Sequence, residues 1–265
     1  MSIRSKVLAT AGAVTLLAGL SAGLTAGTAS AATPSCGGSC VDPFSYQFGT
    51  FTAPAYVLDV FQQHIRIGQP VILFRSSNND LAEDFKPELQ GTVSDFYAAG
   101  LVSSALALHY GCTGMIAVAG AQIPCIGPDA GTNDYALEIE YPPDGVDSGL
   151  CVGVASTATQ GEGVTLQECG ASSKTVWVVD QADSSSPDTN PTLTEYAPVI
   201  NGSDTDFSQP FVLTYPQSGF PTDKPRPQLQ TDNLSGYTNP VTGNPEGVDS
   251  NQLWGTDTGP FVFEV

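Results

Sequence analysis

The sequence predicts an all-β domain with internal threefold symmetry, and three observations support this. Glycine and proline are frequent, with 28 and 20 residues, whereas long stretches of helical periodicity are rare. Short segments that alternate apolar with polar side chains are numerous. The order of apolar and aromatic residues in 149–177 also returns in 58–85, which shares a glycine with it, and in 211–254. Three related units in one domain indicate a repeated β architecture.

Residues 1–31 predict a secretory signal that is removed from the mature chain. Arg4 and Lys6 supply the charged start, residues 7–24 an apolar stretch, and residues 29–31 a small-residue cleavage site. A membrane anchor is the alternative, but glycine, serine and threonine dilute the stretch below the roughly 20 apolar residues that a spanning helix needs. We therefore expect a secreted, extracellular protein that has no membrane contact after cleavage.

The mature part of the chain is strongly acidic. Without Arg4 and Lys6, 8 − 2 = 6 basic residues remain against 27 acidic ones, a formal charge of 6 − 27 = −21. This charge repels nucleic acid and anionic lipid, so neither is an expected partner. The carboxylates of the Ser-, Thr-, Asn- and Pro-rich segments lack the fixed spacing of a calcium loop. No metal and no other cofactor is expected, and the charge is interpreted as an aid to solubility.

The mature length, 265 − 31 = 234 residues, suits one all-β domain better than two small ones. We expect an N-terminal arm at 32–43 and a single domain at 44–265. Equivalent residues recur at unequal intervals, which indicates insertions at 111–134 and in the Pro- and Gly-rich run before Asn251. The three units are expected at about these residues: 44–110, 134–180 and 195–265.

Alternating apolar and polar side chains predict strands that bury one face. Such segments are 44–48, 137–141, 164–166 and 261–265. Residues 93–108 are the best helix candidate, but Gly100 and the β-branched valines weaken it. Two strands, at 92–97 and 101–109, fit the same residues equally well or better.

The six cysteines all lie in the mature part, as an oxidising compartment predicts. Six cysteines allow 15 connectivities, so spacing alone does not fix the pairing. A zinc site at the first two cysteines lacks further ligands, because His64 and His109 stand alone in the sequence. Our hypothesis pairs sequence neighbours as structural disulfides: Cys36 with Cys40, Cys112 with Cys125, and Cys151 with Cys169.

The second unit carries a recognisable pattern in three segments, 149–154, 161–169 and 175–177. They read Gly-Leu-Cys-Val-Gly-Val, Gly-Glu-Gly-Val-Thr-Leu-Gln-Glu-Cys and Thr-Val-Trp. These segments resemble a unit of the ricin-type β-trefoil, the family of the ricin B chain and of many secreted bacterial, actinomycete-like sugar-binding modules. The resemblance implies a single β-trefoil of about twelve short strands with inserted loops. It also implies that Cys151 bonds to Cys169 and that each unit ends in a core aromatic residue.

The same resemblance implies a sugar site in the first unit. Family members that bind sugar use an aspartate on the first hairpin strand, an aromatic residue after the second strand, and an asparagine near the closing Gln-x-Trp. These groups suit a sugar, because its hydroxyls need fixed polar partners and its C–H face packs on a ring. In this sequence Asp59 and Phe74 take the first two places, with Asn78 and Asn79 nearby.

The other two units match this site less completely. The second unit has Gly153 in place of the aspartate and Gln167 in place of the aromatic residue. The third unit keeps Asn251 and Gln252, which we include among the candidate ligand-binding residues, but it has Thr214 near the aspartate position. The first unit is therefore the main candidate for a sugar site.

A structural interpretation of the first unit remains open. Asp59 could cap a turn, and Phe74 could be a core residue or a lone surface aromatic residue. The first unit also has Glu83 and Asp84 where the asparagine and the glutamine of the family would stand. Because fold alone does not establish function, sugar binding stays a hypothesis at this point.

Catalysis is not expected. Glu138 and Glu140 lie two apart on a predicted strand, at about 7 Å, a spacing compatible with paired-carboxylate hydrolysis. We interpret them instead as part of a solvated strand face. No nucleophile motif accompanies His64 or His109.

The sequence thus predicts a non-catalytic protein that binds a carbohydrate or cell-surface glycan through Asp59 and Phe74. The alternative is a protein-binding or protease-inhibitor trefoil without a sugar site, which would bind an extracellular protein. That protein would contact long loops such as 216–250, where Pro221, Pro225 and Pro227 would pre-order an exposed segment. An enzyme is the third choice.

Overall fold

The computed structural model describes most of the domain that the sequence predicts. The expected signal at 1–31, Asn78, the expected strand at 261–265, and Pro221, Pro225 and Pro227 of the expected loop 216–250 lie outside the described residues. No helix within the described part is long and apolar enough to cross a membrane. The described residues are 36, 40–48, 56–77, 79–125, 134–180, 196–206, 209–216, 228–235, 237–238, 245–246 and 248–256.

The first unit consists of four strands and is followed by an insertion. Its strands are β1 (Pro43–Ser45), β2 (Tyr56–Val60), β3 (Val71–Arg75) and β4 (Lys86–Thr92). The insertion consists of α1 (Val93–Ala98), α2 (Ser104–Tyr110), β5 (Met115–Val118) and β6 (Ala121–Pro124). Val41 already pairs with Phe85, so residues 41–43 of the expected N-terminal arm belong to this unit.

The second and third units repeat the four-stranded plan. The second contains β7 (Tyr135–Glu140), β8 (Leu150–Val154), β9 (Glu162–Glu168) and β10 (Val176–Val179). The third contains β11 (Val199–Asn201), β12 (Phe211–Thr214), β13 (Gln230–Asn233) and, after the short pair β14 (Tyr237–Thr238) and β15 (Pro245–Glu246), β16 (Trp254–Thr256). Three units of four strands give the twelve that the resemblance implies.

Strand pairing closes these units into a β-trefoil. Within each unit the second and third strands form an antiparallel hairpin: β2 with β3, β8 with β9, and β12 with β13. Between units, β4 pairs with β7, β10 with β11, and β16 with β1. Within the units, β7 also pairs with β10, and the bridges Val41–Phe85 and Ala197–Trp254 join the first and fourth strands of the other two units. These contacts together close a ring of six strands, so the barrel leaves no unpaired edge between its units. The predicted fold class, an all-β trefoil with insertions and disulfides, is confirmed.

Three isolated contacts join the hairpins around the threefold axis. In each one, the residue opposite Asp59, Gly153 or Thr214 in its own hairpin pairs with a residue of the next hairpin. That second residue lies two positions before the equivalent of the first. The three pairs are Ile72 with Gln228, Thr165 with Pro70, and Gln230 with Gly163. Backbone hydrogen bonds reinforce them, such as Val164 N–H to the Leu229 carbonyl at 2.7 Å. The hairpins therefore meet in the same register at all three contacts.

Equivalent side chains of the three units fill the core. Phe85, Trp177 and Trp254, which close the units, are each 0% exposed. Trp177 Nε1 donates to the Val152 carbonyl at 2.8 Å, and Trp254 Nε1 donates to the Leu213 carbonyl at 2.8 Å. The hairpin strands contribute core residues at equivalent positions: Leu58, Val60, Val71 and Leu73; Val152, Val154, Val164 and Leu166; Leu213, Tyr215 and Leu229.

The two strands preferred for residues 92–109 are wrong, because this segment forms the helices α1 and α2. Thr92 starts α1 with a capping box, in which its side chain accepts from Asp95 N–H and the Asp95 side chain accepts from Thr92 N–H. Ser103 caps α2 by accepting from Leu106 N–H. Gly100 has a φ of +77° between the helices, a conformation that ends α1. Local capping thus outweighs the β propensity of the valines.

The helices cover an apolar outer face of the barrel. Val93, Phe96 and Leu106 pack with residues of β7, β10, β11 and β12 in a second core cluster. The hairpin β5–β6 follows the helices, and the Cys112–Cys125 disulfide closes its base. The insertion is therefore longer than the expected 111–134, because it begins directly after β4.

All three expected disulfides are present: Cys36–Cys40, Cys112–Cys125 and Cys151–Cys169. The last one joins the two strands of the second hairpin, β8 and the end of β9. In the first hairpin the same two places hold Val57 and Ser76, as the alignment of the units predicts.

The indole hydrogen bonds of the closing tryptophans give a stability prediction. Trp254→Phe keeps an aromatic ring, but it leaves the buried Leu213 carbonyl without its donor and a cavity where the larger indole packs, which together cost about 2–4 kcal/mol. We expect the free energy of unfolding, measured by urea denaturation, to fall by about this amount. Tyr97→Phe is the matched control, since the Tyr97 hydroxyl donates to the Ala117 carbonyl at 3.1 Å on the surface. Equal losses in the two variants would contradict the prediction.

Candidate functional site

The threefold alignment identifies three equivalent positions on the outer faces of the hairpins. Trp177 and Trp254 donate to Val152 and Leu213, so the residues after these two, Gly153 and Thr214, are equivalent. In the first unit the register of β2 and β3 places Asp59 there. Only the first unit therefore has a carboxylate at this position.

The second unit has no room for a side chain at this position. A Cβ atom on Gly153 would lie 2.7 Å from the Lys174 carbonyl oxygen and 3.0 Å from Thr175 Cγ2. Gln167, at the aromatic position, is partly exposed, and its amide donates to Thr165 Oγ1 at 2.7 Å. The backbone before Trp177 thus fills the space that an aspartate would occupy.

The third unit uses its polar groups internally. Thr214 is 2% exposed, and its hydroxyl accepts from the Gln252 amide at 3.1 Å. The Gln252 side-chain oxygen accepts from the Ser235 backbone N–H at 2.7 Å. Asn251 donates to the Tyr215 carbonyl at 2.7 Å. The structure thus places both residues that the sequence proposes for this unit, Asn251 and Gln252, in contacts that hold the hairpin and the closing turn together.

The first unit places Asp59 and Phe74 on the same face of the hairpin. Asp59 of β2 lies opposite Ile72 of β3, and Phe74 lies two residues after Ile72 on β3. Diagonal neighbours of this kind are about 7–8 Å apart. Phe74 is partly exposed, whereas Asp59 is only 3% exposed. Asn79 is exposed nearby, with a φ of 57°.

A cluster of carboxylates surrounds Asp59. One oxygen each from Asp59, Asp80 and Glu83 lies within 4.8 Å of the other two. Asp80 begins the 3₁₀ turn Leu81–Glu83 and accepts from the Ala82 N–H at 3.1 Å. Glu83, 1% exposed, accepts from the Ser77 N–H at 3.0 Å. The closing turn of the unit therefore brings two acidic side chains to the hairpin aspartate.

In the structure, the closing turn of the first unit aligns with that of the third unit one residue away from the alignment expected from sequence. Leu81–Glu83 ends two residues before Phe85, as Ser250–Gln252 ends two residues before Trp254. Glu83 therefore stands at the glutamine position rather than at the asparagine position. Asp84 does not take the glutamine position; it is 0% exposed and accepts from the Asp144 N–H at 2.7 Å.

Burial and like charges govern the electrostatics of the cluster. Burial and the neighbouring carboxylates of Asp42, Asp80 and Asp59 together raise the pKa of Glu83 to about 9, although the Ser77 N–H opposes the rise. Glu83 is therefore protonated at neutral pH in the metal-free protein.

Tyr141 adds a buried hydroxyl to the same region. Burial raises its pKa, and Asp59, Asp84 and Asp80 contribute to the rise. The residue is 0% exposed, and its hydroxyl has no hydrogen-bond partner among the described residues. A buried polar group of this kind is uncommon in native proteins.

Backbone strain is concentrated around this cluster. The described residues contain five non-glycine residues with positive φ, and Gln62, Gln63, Asn79 and Asp144 are four of them. The Gln63 amide donates to Asp80 at 2.7 Å, and the Asp144 backbone donates to Asp84. Such conformations cost about 1–3 kcal/mol each and collect at functional sites.

Sequence reasoning found Asp59 but missed most of its neighbours. Asp42, 1% exposed, lies in what the sequence assigns to the N-terminal arm, and Tyr141 lies 82 positions after Asp59. The one local signal was the Asp-x-x-Glu spacing of Asp80 and Glu83 before Phe85, where the family pattern has neutral amides. The other contacts arise only from packing.

Glu138 and Glu140 do not form the solvated face that the sequence suggests. Both are 1% exposed. Glu138 accepts from the Gly170 N–H at 2.9 Å and from the Thr175 hydroxyl. Glu140 pairs with Lys86 at 3.0 Å and accepts from the Gly149 N–H at 2.8 Å. Each carboxylate thus anchors a backbone turn.

No protein-family model matches the chain, and no curated protein does. Among solved structures, the chain is similar to the crystal structure of a designed 3-fold symmetric protein, ThreeFoil, with a TM-score of 0.44 and 10% sequence identity. The match covers 82% of this chain and 96% of that chain. The trefoil assignment rests on the strand pairing described above and not on this likeness.

The pKa of Glu83 predicts a pH dependence of stability. Between its ordinary value of 4.5 and about 9, folded Glu83 holds a proton that the unfolded chain has released. The free energy of unfolding therefore falls as pH rises through this window. Glu83→Gln removes this contribution and introduces the residue that the third unit carries as Gln252. At pH 8 we expect the variant to be more stable than the parent chain.

Urea denaturation in buffer with a chelator, from pH 5 to pH 9, measures this difference. Glu168→Gln is the matched control, since it removes one charge from an exposed residue at the end of β9. If Glu83→Gln and the parent lost stability at the same rate with rising pH, the assignment of the raised pKa to Glu83 would be wrong.

Proposed function

We propose that this chain is a secreted, non-catalytic carbohydrate-binding protein of the ricin-like type, with its site on the first unit. The supporting observation is that Asp59 and the partly exposed Phe74 share one hairpin face. At the equivalent positions, Gly153 is packed against backbone and Thr214 is bound by Gln252. The equivalent positions of the other two units are thus occupied by contacts within the protein, whereas the first unit retains a carboxylate and an aromatic ring.

The chemistry of these residues suits a neutral sugar. Phe74 offers a ring on which the C–H face of a sugar can pack, and Asn79 and Asp80 offer polar groups at the rim. Asp59 lies deeper and accepts from hydroxyls that reach below the surface. The formal charge of the whole chain, −19, disfavours acidic sugars such as uronic acids.

Secretion is part of the proposal. Three disulfides are typical of proteins from oxidising compartments, in agreement with the expected N-terminal signal. The absence of catalysis is also proposed, because the paired carboxylates Glu138 and Glu140 are engaged by backbone turns and by Lys86.

A glycan array followed by calorimetric titration tests the sugar site. We expect saturable binding of a neutral glycan, and Phe74→Ala is expected to weaken it about tenfold, a change of about 1.4 kcal/mol that corresponds to the loss of a stacking platform. Gln167→Ala is the matched control at the equivalent position of the second unit. Absence of binding to neutral glycans, or unchanged affinity in Phe74→Ala, would overturn the proposal.

A protein-binding function is the second candidate, and one observation favours it. The loop between β2 and β3 exposes two large apolar side chains, Ile65 at 57% and Ile67 at 62%, beside Arg66. Exposed apolar side chains that project from a rigid hairpin are typical of contacts with another protein.

Inhibition assays against a panel of serine and cysteine proteases test this candidate. If it holds, the double variant Ile65→Ser, Ile67→Ser loses inhibition by at least tenfold, while Phe74→Ala retains it. The double variant should fold normally, since neither side chain is buried. An intact inhibitory activity in the double variant, or none in the parent chain, would exclude this hairpin as the inhibitory element.

A further inference from the structure

The carboxylates around Asp59 have the geometry of a metal site. One oxygen of each of Asp59, Asp80 and Glu83 lies within 4.8 Å of the others. Calcium binds oxygen at 2.3–2.6 Å, so two oxygens on one calcium ion lie at most about 5 Å apart. We propose that Asp59, Asp80 and Glu83 bind one Ca²⁺ ion at the base of the first hairpin.

The hydroxyl of Tyr141 is a second observation, independent of the carboxylates. Tyr141 is 0% exposed, and the described residues offer its hydroxyl no hydrogen-bond partner. Asp59, Asp84 and Asp80 are the charges that act on its hydroxyl, so the hydroxyl lies near the acidic cluster. Buried hydroxyls in native proteins are nearly always hydrogen-bonded. A hydrated cation held by the cluster supplies a partner through its coordination shell.

The charge balance of the cluster favours a cation. The charged groups that act most strongly on Glu83 are all carboxylates: Asp42, Asp80 and Asp59. Asp80 accepts from Gln63, Ser77 and the Ala82 N–H, which are all uncharged donors. Buried carboxylates are favourable when they are paired or when they coordinate a metal. A divalent ion offsets two of these negative charges.

The ligand set selects calcium among common cations. All three side chains offer hard oxygen atoms, which exclude metals that prefer nitrogen or sulfur. The neighbouring Cys36 and Cys40 lie near Asp84, but their sulfurs are bonded to each other and do not coordinate. Calcium accepts six to eight oxygens in irregular geometry, whereas magnesium demands a near-ideal octahedron.

Calorimetric titration of CaCl₂ into the intact mature chain, prepared in chelator-treated buffer, tests this site. We expect one saturable site with a dissociation constant of about 10⁻⁴–10⁻³ M, the range of extracellular calcium modules. Magnesium should bind at least tenfold more weakly. Asp80→Asn and Glu83→Gln should each weaken calcium binding at least tenfold. Asn still caps the turn at residue 80, so the first variant retains the local fold.

Glu168→Gln is the matched control, because it removes the same charge at the exposed end of β9 and should retain the parental affinity. Circular dichroism of each variant checks that the fold is kept. Lack of saturable calcium binding, or equal loss in Glu168→Gln, would overturn the proposal, since the second outcome indicates attraction by net charge alone.

The calcium-site proposal and the sugar-site proposal can each be rejected without rejecting the other. Phe74→Ala removes the sugar-stacking ring but no calcium ligand, so it should lose glycan affinity and keep calcium affinity. Calcium binding without any glycan binding would support the metal site and reject the sugar site. If the chain bound no calcium, and bound glycan with unchanged affinity in the presence of a chelator, the sugar site would be supported and the metal site rejected.

Discussion

The ring of three contacts between the hairpins is the constraint on which the rest of the structure depends. Ile72, Thr165 and Gln230 each pair with the next hairpin around the axis. A strand that shifts by one residue turns its apolar side chains to the outer face, so these contacts fix which residues enter the core. The closing residues Phe85 and Trp177 then pack beneath the hairpins as equivalents.

This constraint makes the differences between units interpretable. Where the third unit joins Gln252 to Thr214 through a neutral hydrogen bond, the first unit opposes two carboxylates, Glu83 and Asp59. The neutral pair needs no ion and no proton to be stable, whereas the acidic pair carries the cost of burial and of like charge. The first unit thus gives up stability at the position where the third unit gains it. Such a cost is typical of a site retained for binding rather than for folding.

The fold could be predicted from sequence because its signals are local and repeated. The alternating strand and the closing aromatic residue recur in every unit, and one complete copy at 149–177 was enough to align the other two. The helices α1 and α2 were missed because their capping residues, Thr92 and Ser103, act through geometry that propensity and periodicity do not record. The disulfides were paired correctly because each joins cysteines close in sequence.

The site was harder to predict, because its residues come from segments far apart in sequence. Asp59 was recognised from the strand pattern, but the cluster also needs a turn that ends at Glu83 and a hydroxyl from Tyr141. A sequence pattern within one strand does not predict which residues of another unit pack against it. The strained residues Gln62 and Asn79 lie next to the same cluster, and they owe their conformations to the loops that carry it. Burial, strain and negative charge therefore coincide in one unit, which makes the first hairpin the part of this symmetric fold where function is to be sought.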